Sequence, residues 1–301
     1  MVNRVSLSQG DSKYLLMQLL NWEVFMTPGI PIVTPDRPPG VDETYFQATA
    51  STLIYGITDA VLVDAFMTIE QASALADWVA SKDKNLTTIY ITHGHGDHWF
   101  GVGTLLERFP HARVVATPDT VKVMRQNASP EALRTAWKAA FPGVIPDKLV
   151  IAEELGGNVF YLEGHELVAV EMGHTDTDCT TCLYVPSIGL VVAGDAAYND
   201  VHLYLAESTA QTRKEWIAAL DKIESLNPRA VVASHKRPGK DDNPRIIEET
   251  RQYIRDFDWL TETAKTSREL YDKMLDLYPN RVNPGWALWS SARAVKSMVN
   301  P

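Results

Sequence analysis

The sequence predicts an α/β fold in which two β-sheets pack face to face between outer helices, an αββα sandwich with a helical C-terminal extension. Short apolar runs that are typical of strands alternate with helix-like segments in two strand-rich parts of the chain. No fixed-period repeat or composition break divides the chain, and Arg245–Pro301 has mainly helical spacing. With 301 residues and 45% hydrophobic composition, the chain can bury a core of this kind.

The first elements are a predicted hairpin, because the apolar runs Ala48–Tyr55 and Ala60–Val63 flank a turn-like Gly-Ile-Thr-Asp sequence. Ile69–Ala80 then has helical spacing, with Thr68 as its expected capping residue. The β-rich run Thr87–Ile91 follows and predicts another strand. Strand, helix and strand therefore succeed one another, as in layered α/β proteins.

Later in the chain, apolar runs predict six more strands. Turn signals separate some of them, at Glu163–Gly164 and Ser187–Gly189. These are Arg113–Ala116, Val159–Leu162, Leu167–Met172, Thr181–Val185, Leu190–Ala193 and Ala230–Ala233. Helical spacing predicts Pro130–Ala140, Arg213–Leu226 and, with breaks, Arg245–Leu277. We expect one domain over residues 1–244 and a helical extension over residues 245–301, anchored on it by Trp259, Trp286 and Trp289.

Charge and cysteine content limit the function. A formal charge of −10 and a pI near 5.3 argue against nucleic acid as a partner, because phosphate contacts need clustered Lys and Arg. No run approaches the roughly 20 apolar residues of a membrane helix. The apolar patch Tyr14–Leu20 contains Gln18 and lacks a small-residue cleavage site, so no secretory signal is predicted. Because the chain has only Cys179 and Cys182 and no predicted secretory signal, we expect reduced thiols and a cytoplasmic protein. Since neither nucleic acid nor a membrane is an expected partner, we expect the protein to act on a small molecule.

A cluster of metal-ligating residues follows the strand predicted at Thr87–Ile91. The sequence there reads Thr-His-Gly-His-Gly-Asp-His and contains His93, His95, Asp97 and His98. A loop at a strand end can bring several side chains to one point, and imidazole and carboxylate are ligands that zinc prefers. The stretch therefore predicts a metal site.

Three further candidates, His174, Asp195 and His235, lie just after other predicted strands. A single histidine is more often explained by ordinary hydrogen bonding in a core or on a surface. Here, however, five of the eight histidines would belong to one site. The set as a whole favours a metal centre.

The order and spacing of these residues, from about Thr52 to His235, resemble the metallo-β-lactamase superfamily. The resemblance implies that residues 1–244 form a catalytic domain with two Zn²⁺ ions per chain, and that a hydroxide shared by them attacks the substrate. It implies a first metal on His93, His95 and His174, a second on Asp97, His98 and His235, and Asp195 bridging both. Ligands of these types also accept Mn, Co or Fe, so the metal in the cell stays open.

Other residues are candidates for supporting roles. Asp97 could also steer a proton, and Asp64, at the end of a predicted strand, is expected to orient the imidazoles, with Thr92 as a weaker candidate. Tyr198 could donate a hydrogen bond to a developing oxyanion, or it could simply pack beside the loop. His202 is a candidate pocket residue, although a lone loop histidine is more often structural.

The residue at the bridging position distinguishes branches of the superfamily that this chain resembles. Secreted β-lactamases carry Cys or Ser there, whereas lactonases, glyoxalase-II-like thioesterases and RNA-processing nucleases carry Asp, as here with Asp195. The acidic charge disfavours the nucleases, and Gly94 stands where glyoxalase II usually has a histidine. Tyr198 has the offset of a tyrosine in N-acyl homoserine lactonases. We therefore expect a small cyclic ester or amide as substrate, with lactonase favoured, lactamase next and thioesterase as the alternative.

Two hypotheses that assign the protein to other functional classes stay open. Some superfamily members are iron oxidoreductases; His95 disfavours the di-iron branch, but a mononuclear iron site is compatible with these ligands. A binding module that has lost its metals is disfavoured by the complete ligand set.

Cys179 and Cys182 have CxxC spacing but enter a predicted strand, so we expect structural thiols. The loop Pro28–Pro39 and the helical tail are expected to form an apolar pocket mouth, and tail tryptophans would suit a homodimer.

Overall fold

Two mixed sheets form the centre of the molecule. The computed structural model describes residues 20–297, so the patch Tyr14–Leu20, on which the interpretation of the N-terminus depended, lies outside the described residues except for Leu20. The first sheet has the order β1-β2-β3-β4-β5-β6. Its strands are β1 (Asn21–Thr27), β2 (Thr49–Tyr55), β3 (Asp59–Val63), β4 (Asn85–Tyr90), β5 (Arg113–Ala116) and β6 (Glu153–Glu154).

The second sheet has the order β11-β10-β9-β8-β7. Its strands are β7 (Val159–Leu162), β8 (His165–Gly173), β9 (Thr180–Val185), β10 (Leu190–Gly194) and β11 (Ala230–Ala233). Strands β7 to β10 are antiparallel neighbours, and β10 and β11 are parallel. In the first sheet β1 to β3 are antiparallel, whereas β3 to β6 are parallel. The parallel pairs bring several strand ends to the same edge of the molecule.

Helices cover the outer face of each sheet. Those after the first strands are α1 (Ile69–Ala80), α2 (Val102–Arg108), α3 (Pro118–Asn127), α4 (Pro130–Ala132) and α5 (Lys138–Ala140), with a π-helical turn at Leu133–Trp137 between the last two. The later helices are α6 (Ala210–Ser225), α7 (Ile246–Thr263), α8 (Ser267–Leu277) and α9 (Trp289–Ser297), with a second π-helical turn at Pro284–Leu288. This arrangement confirms the predicted αββα sandwich.

Alternation along the strands creates three buried layers. On β3, Leu62 packs outward against the first helices, whereas Val61 and Val63 face the second sheet. On β10, Val192 faces the first sheet and Val191 packs against the later helices. The central strands of each sheet therefore bury both faces, which explains why their sequences are short continuous apolar runs.

The C-terminal helices share the core of the second sheet. Phe257 of α7, Leu270 of α8 and Trp289 of α9 belong to the same buried cluster as Val191 and as Trp216 of α6. The predicted tail is thus packed on the sandwich, but Trp259, which was expected to help anchor it, is 61% exposed. The proposed division between residues 244 and 245 stays a prediction.

Most predicted elements are confirmed with shifts of a few residues at their ends, and the predicted tail helix divides after Thr263. Four elements were not predicted from the sequence: the half-buried edge strand β1, the two-residue strand β6, and the helices α2 and α3. Helix α3 has a start signal in Thr117, whose side chain caps the helix, followed by a proline at its first position. Val121 and Met124 also have the i, i+3 spacing of a buried helix face, so a helical signal was present in the sequence.

Candidate metal centre

The first four candidate ligands lie in the loop after β4. A 3-10 turn at Gly96–His98 folds the loop back, so that the backbone N–H of His98 donates to the carbonyl of His95 at 3.1 Å. Gly94 permits a close approach to α3, because a Cβ atom there would lie 2.4 Å from a methyl carbon of Val123. The short loop therefore directs several side chains to one end of the sandwich.

The other three candidates reach the same end from the second sheet. His174 and Asp195 directly follow β8 and β10, and His235 comes two residues after β11. The register shifts before Gly173 in β8 and before Gly194 in β10. Such irregularities change the direction of the next side chain and are common beside functional sites.

One group of donors is formed by Asp97, His98, His235 and Asp195. His235 Nε2 lies 3.3 Å from Asp97 Oδ2 and 3.2 Å from Asp195 Oδ2. His98 Nε2 lies 3.2 Å from Asp97 Oδ2 and 3.5 Å from Asp195 Oδ1. Four side chains from three segments thus meet in one buried space, including the three expected to hold the second metal.

A second group contains His93 and His95, but its third member is Asp176. Asp176 Oδ2 lies 2.9 Å from His95 Nδ1 and 3.6 Å from His93 Nε2. His174, the third ligand implied by the resemblance, is in none of the three-residue donor groups found among residues 20–297. Its Nδ1 contacts Asp178 at 2.6 Å, while its Nε2 is buried without a hydrogen-bond partner in that part of the chain.

These residues fit metal binding. Two ligands that share a tetrahedral zinc ion at about 2.0–2.1 Å must lie about 3.3 Å apart. Most of the donor distances above are close to this value. In the described chain, several of these buried donor atoms lack a hydrogen-bond partner, namely His93 Nε2, Asp97 Oδ2, His98 Nε2, His174 Nε2 and Asp195 Oδ1. A cation would satisfy such atoms together.

Electrostatic effects point the same way. Burial lowers the pKa of His98, but Asp97 and Asp195 outweigh it and hold that pKa well above its usual value. Burial also lowers the pKa of His235, yet Asp195 and Asp97 raise it to about 10. Burial and the neighbouring His98 lower the pKa of His93. The site concentrates negative charge that protons or a cation must neutralise.

Asp64 connects the strand ends beneath the site. Its carboxylate accepts hydrogen bonds from the Thr92 backbone N–H and hydroxyl, both at 2.9 Å, and from the Ser234 hydroxyl at 3.3 Å. Asp64 Oδ2 also lies 2.9 Å from His98 Nδ1. The Thr92 hydroxyl lies 3.1 Å from Nδ1 of His93. Both residues are therefore placed where they can orient ligand imidazoles, and this role stays a prediction.

Tyr198 and His202 lie away from the open side of the centre. The Tyr198 hydroxyl donates to Asp195 Oδ2 at 3.0 Å, and its fully buried ring does not reach the cleft described below, so its position favours holding this carboxylate over contacting an oxyanion. His202 is also buried, with Nδ1 2.9 Å from the Tyr253 hydroxyl. The expectation that His202 lines the pocket is corrected, because packing against α7 holds its ring inside the later core.

A cleft of about 250 Å³ opens over the donor groups. Its floor includes His95, Asp97, Asp195 and His235, whereas apolar and aromatic side chains form most of its walls. The walls include Ile32, Phe46, Trp137, Phe141, Tyr204 and Trp286. None of the described residues that line the cleft is Lys or Arg. The loop and the tail both contribute, as expected, through Ile32 and Trp286.

Both π-helical turns contribute a wall tryptophan, Trp137 from the first and Trp286 from the second. Turns of this kind occur frequently at functional sites. Trp286 stacks on Tyr204, with ring centroids 6.1 Å apart. The Trp137 indole donates to the side-chain oxygen of Asn127 at 3.0 Å. These contacts hold the two wall residues in defined orientations.

Two residues at the site, Asp176 and Glu207, were not predicted from the sequence. Glu207 lines the cleft, and its carboxylate oxygens lie 3.1 Å from His95 Nε2 and 2.8 Å from the Thr177 hydroxyl. The position of Asp176, two residues after His174, was a visible signal. Glu207 has no local signal, because it stands 112 positions from the histidine that it contacts.

The metallo-beta-lactamase superfamily profile matches residues 44–235, a segment that contains all seven predicted ligands. The chain belongs to the metallo-β-lactamase superfamily. Comparison with curated proteins gives no match. Members of this superfamily are generally metal-dependent hydrolases. The candidate metal-binding residues of this chain are those of the donor groups described above.

Solved structures support the same fold. A metallo-beta-lactamase family protein from Thermus thermophilus is 22% identical, with a TM-score of 0.60 and coverage of 89% of this chain and 92% of that one. A metallo-beta-lactamase from Pontibacter korlensis is 16% identical, with a TM-score of 0.56 and coverage of 78% and 100%. The Pseudomonas aeruginosa enzyme FIM-1, in its mono-zinc form, is 16% identical, with a TM-score of 0.53 and coverage of 76% and 96%. At these identities the likeness concerns the fold.

Two further features concern membrane-spanning helices and the cysteine thiols. Within residues 20–297, no helix is both long and apolar enough to cross a membrane. Cys179 and Cys182 are both free, and burial raises the pKa of the Cys182 thiol to about 12. A thiol of this kind is unreactive at neutral pH, which agrees with the predicted structural role.

Proposed function

We propose that this protein is a binuclear zinc-dependent hydrolase that opens a small, uncharged cyclic ester, with a cyclic amide as the next candidate. The observation that carries the proposal is the position of the donor groups at the floor of a cleft with apolar walls. The free thiols support the cytoplasm as its proposed compartment.

Two divalent cations, when bound, would supply an activated water and polarise the substrate carbonyl. The chain's own residues then divide the remaining work. His98 and His235 lie 3.2 to 3.5 Å from Asp97 and Asp195, so the four side chains are held together at positions from which they would bind the cations. Asp97 also lines the cleft, so its carboxylate can receive or release a proton beside the substrate.

The cleft walls indicate what the substrate carries. Phe46, Trp137 and Trp286 offer broad apolar surfaces, which favour a substrate with an apolar group beside its ring. Apart from the metal ions themselves, no cationic side chain among the described lining residues would compensate a substrate carboxylate or phosphate for its lost hydration, and Glu207 adds a carboxylate to the lining. This disfavours penicillin-like acids and polyanions, and it supports a lactone ahead of a β-lactam.

The first test is metal analysis and hydrolysis by the purified full chain. We expect about two zinc ions per chain and hydrolysis of apolar lactones, lost on chelation and restored by Zn²⁺. Asp195→Asn should abolish this activity, whereas the control Asp119→Asn, which makes the same replacement at an exposed position on α3, should not.

A second test concerns the cleft wall. Trp137→Ala should lower kcat/KM about tenfold or more for lactones with long apolar chains, and less for lactones with short chains. Activity confined to thioesters, or one iron ion per chain, would overturn the proposal.

A further inference from the structure

We propose that Asp176 is a direct ligand of the first metal, together with His93 and His95. The inference rests on the metal centre proposed above and adds an anionic donor to the three histidines that the superfamily resemblance implies. The cofactor concerned is a divalent transition-metal cation.

The geometry of Asp176 distinguishes its two oxygens. The side chain is fully buried, and Oδ1 accepts a hydrogen bond from the Thr175 hydroxyl at 2.9 Å. Oδ2 faces His93 Nε2 and His95 Nδ1 at 3.6 and 2.9 Å. Despite this short distance, Oδ2 has no partner with hydrogen-bond geometry in residues 20–297. One oxygen is thus held by the protein, and the other is available to a cation.

The loop around Asp176 is built to keep this arrangement. The Thr175 backbone N–H donates to the Thr177 carbonyl at 2.9 Å, and the Thr177 hydroxyl donates to Glu207 at 2.8 Å. Glu207 also contacts His95 Nε2 at 3.1 Å. A carboxylate on one imidazole nitrogen commonly fixes the ring so that the other nitrogen binds metal. Here that other nitrogen, Nδ1, is the one facing Asp176.

A simple ion pair between Asp176 and His95 explains less of the site. It would use a well-aligned hydrogen bond, which Oδ2 does not make, and it would leave His93 Nε2 buried without a partner. A cation between the three atoms would satisfy all of them at separations near the 3.3 Å or so expected for shared ligands. His174 Nε2, also buried and without a partner, could complete the set.

An added carboxylate has a chemical consequence. It supplies a charge that three neutral imidazoles lack and shifts the preference of the first site toward harder cations such as Mn²⁺ or Fe²⁺. Besides the bridging Asp195 that the resemblance implies, the first site would then have an aspartate of its own, as the second site has Asp97.

The test compares the full-length wild-type chain with Asp176→Asn, which keeps the side-chain shape, and with Asp119→Asn as the control. Zn²⁺ affinity is measured by competition with a chromophoric chelator, stoichiometry by elemental analysis, and coordination by the visible spectrum of the Co²⁺-loaded protein. We expect one of two ions to bind about a hundredfold or more weakly in Asp176→Asn, a larger loss than the typical effect of a residue that only orients a ligand. The Co²⁺ spectrum should change with the lost donor, and the control should match the wild type.

Circular dichroism in excess chelator checks that the metal-free variant folds. If Asp176→Asn is unfolded, Asp176→Glu retains a carboxylate and is expected to bind two ions with an altered Co²⁺ spectrum. Unchanged affinity, or weaker affinity with an unchanged Co²⁺ spectrum, would show that Asp176 lies outside the coordination shell and overturn the inference. A wild-type chain that binds no divalent cation would instead overturn the proposed function, and this inference with it.

Discussion

Replacing Asp64 with asparagine tests how the fold positions the metal ligands. Asp64 is buried at the end of β3 and has a positive φ of 64°, a conformation that asparagine also tolerates. The exchange therefore preserves the backbone and the side-chain volume. If the amide NH₂ takes the position of Oδ2, it faces His98 Nδ1 and the hydroxyls of Thr92 and Ser234. If it takes the position of Oδ1 instead, the backbone N–H of Thr92 loses its acceptor.

The hydroxyl groups can rotate and accept a hydrogen bond from the new amide, but the His98 N–H cannot. A buried donor left unsatisfied costs about 1–3 kcal/mol, and the lost hydrogen bond to a carboxylate adds to this. We expect Asp64→Asn to lower the free energy of unfolding of the metal-free chain by about 3 kcal/mol. Without its carboxylate partner, the His98 imidazole should also bind its metal about 10–100-fold more weakly.

Urea unfolding with the metal removed measures the first effect, and chelator competition measures the second. Asp83→Asn is the matched control, because Asp83 also has a positive φ, of 53°, but is exposed and remote from the site. If the two variants unfold within about 0.5 kcal/mol of each other and bind metal equally, the carboxylate does not hold the imidazole.

Three other variants test separate parts of the structure. Gly101→Ala would place a Cβ atom 2.3 Å from a backbone carbonyl oxygen, so we expect a loss of about 1–3 kcal/mol in urea unfolding, whereas Gly156→Ala, with open space around it, should have little effect. Tyr198→Phe removes the hydrogen bond to Asp195 and should weaken metal binding in chelator competition without unfolding the chain; unchanged affinity would argue against a positioning role. Burial and a nearby arginine lower the pKa of His202 to about 3, so the folded chain keeps it neutral while the unfolded chain binds a proton below about pH 6.5. Its contribution to stability is therefore present above that pH and declines toward pH 3; the Tm of His202→Gln should fall less than that of the wild type between pH 7.5 and 5, and equal falls would contradict this assignment.

Secondary structure and the ligand set could be predicted because their signals are local. β3 and β10 are apolar at successive positions, since both of their faces are buried, and α1 repeats its buried positions at helical spacing. The histidine and aspartate candidates are recognisable because each stands in or next to a loop at a strand end. In parallel and mixed sheets these ends converge, so their order along the chain already indicates a common site.

Contacts between distant segments were decided by the tertiary structure alone. Glu207 meets His95 across 112 positions, and the cleft combines Ile32, Trp137 and Trp286 from three separate segments. Such contacts depend on how the sheets pack and on the bulges and π-helical turns that aim single side chains, and no short sequence pattern encodes these. The sequence by itself therefore determined the sandwich, the family resemblance and the candidate ligands, whereas the packing of distant segments decided which donor atoms meet and what shape surrounds them.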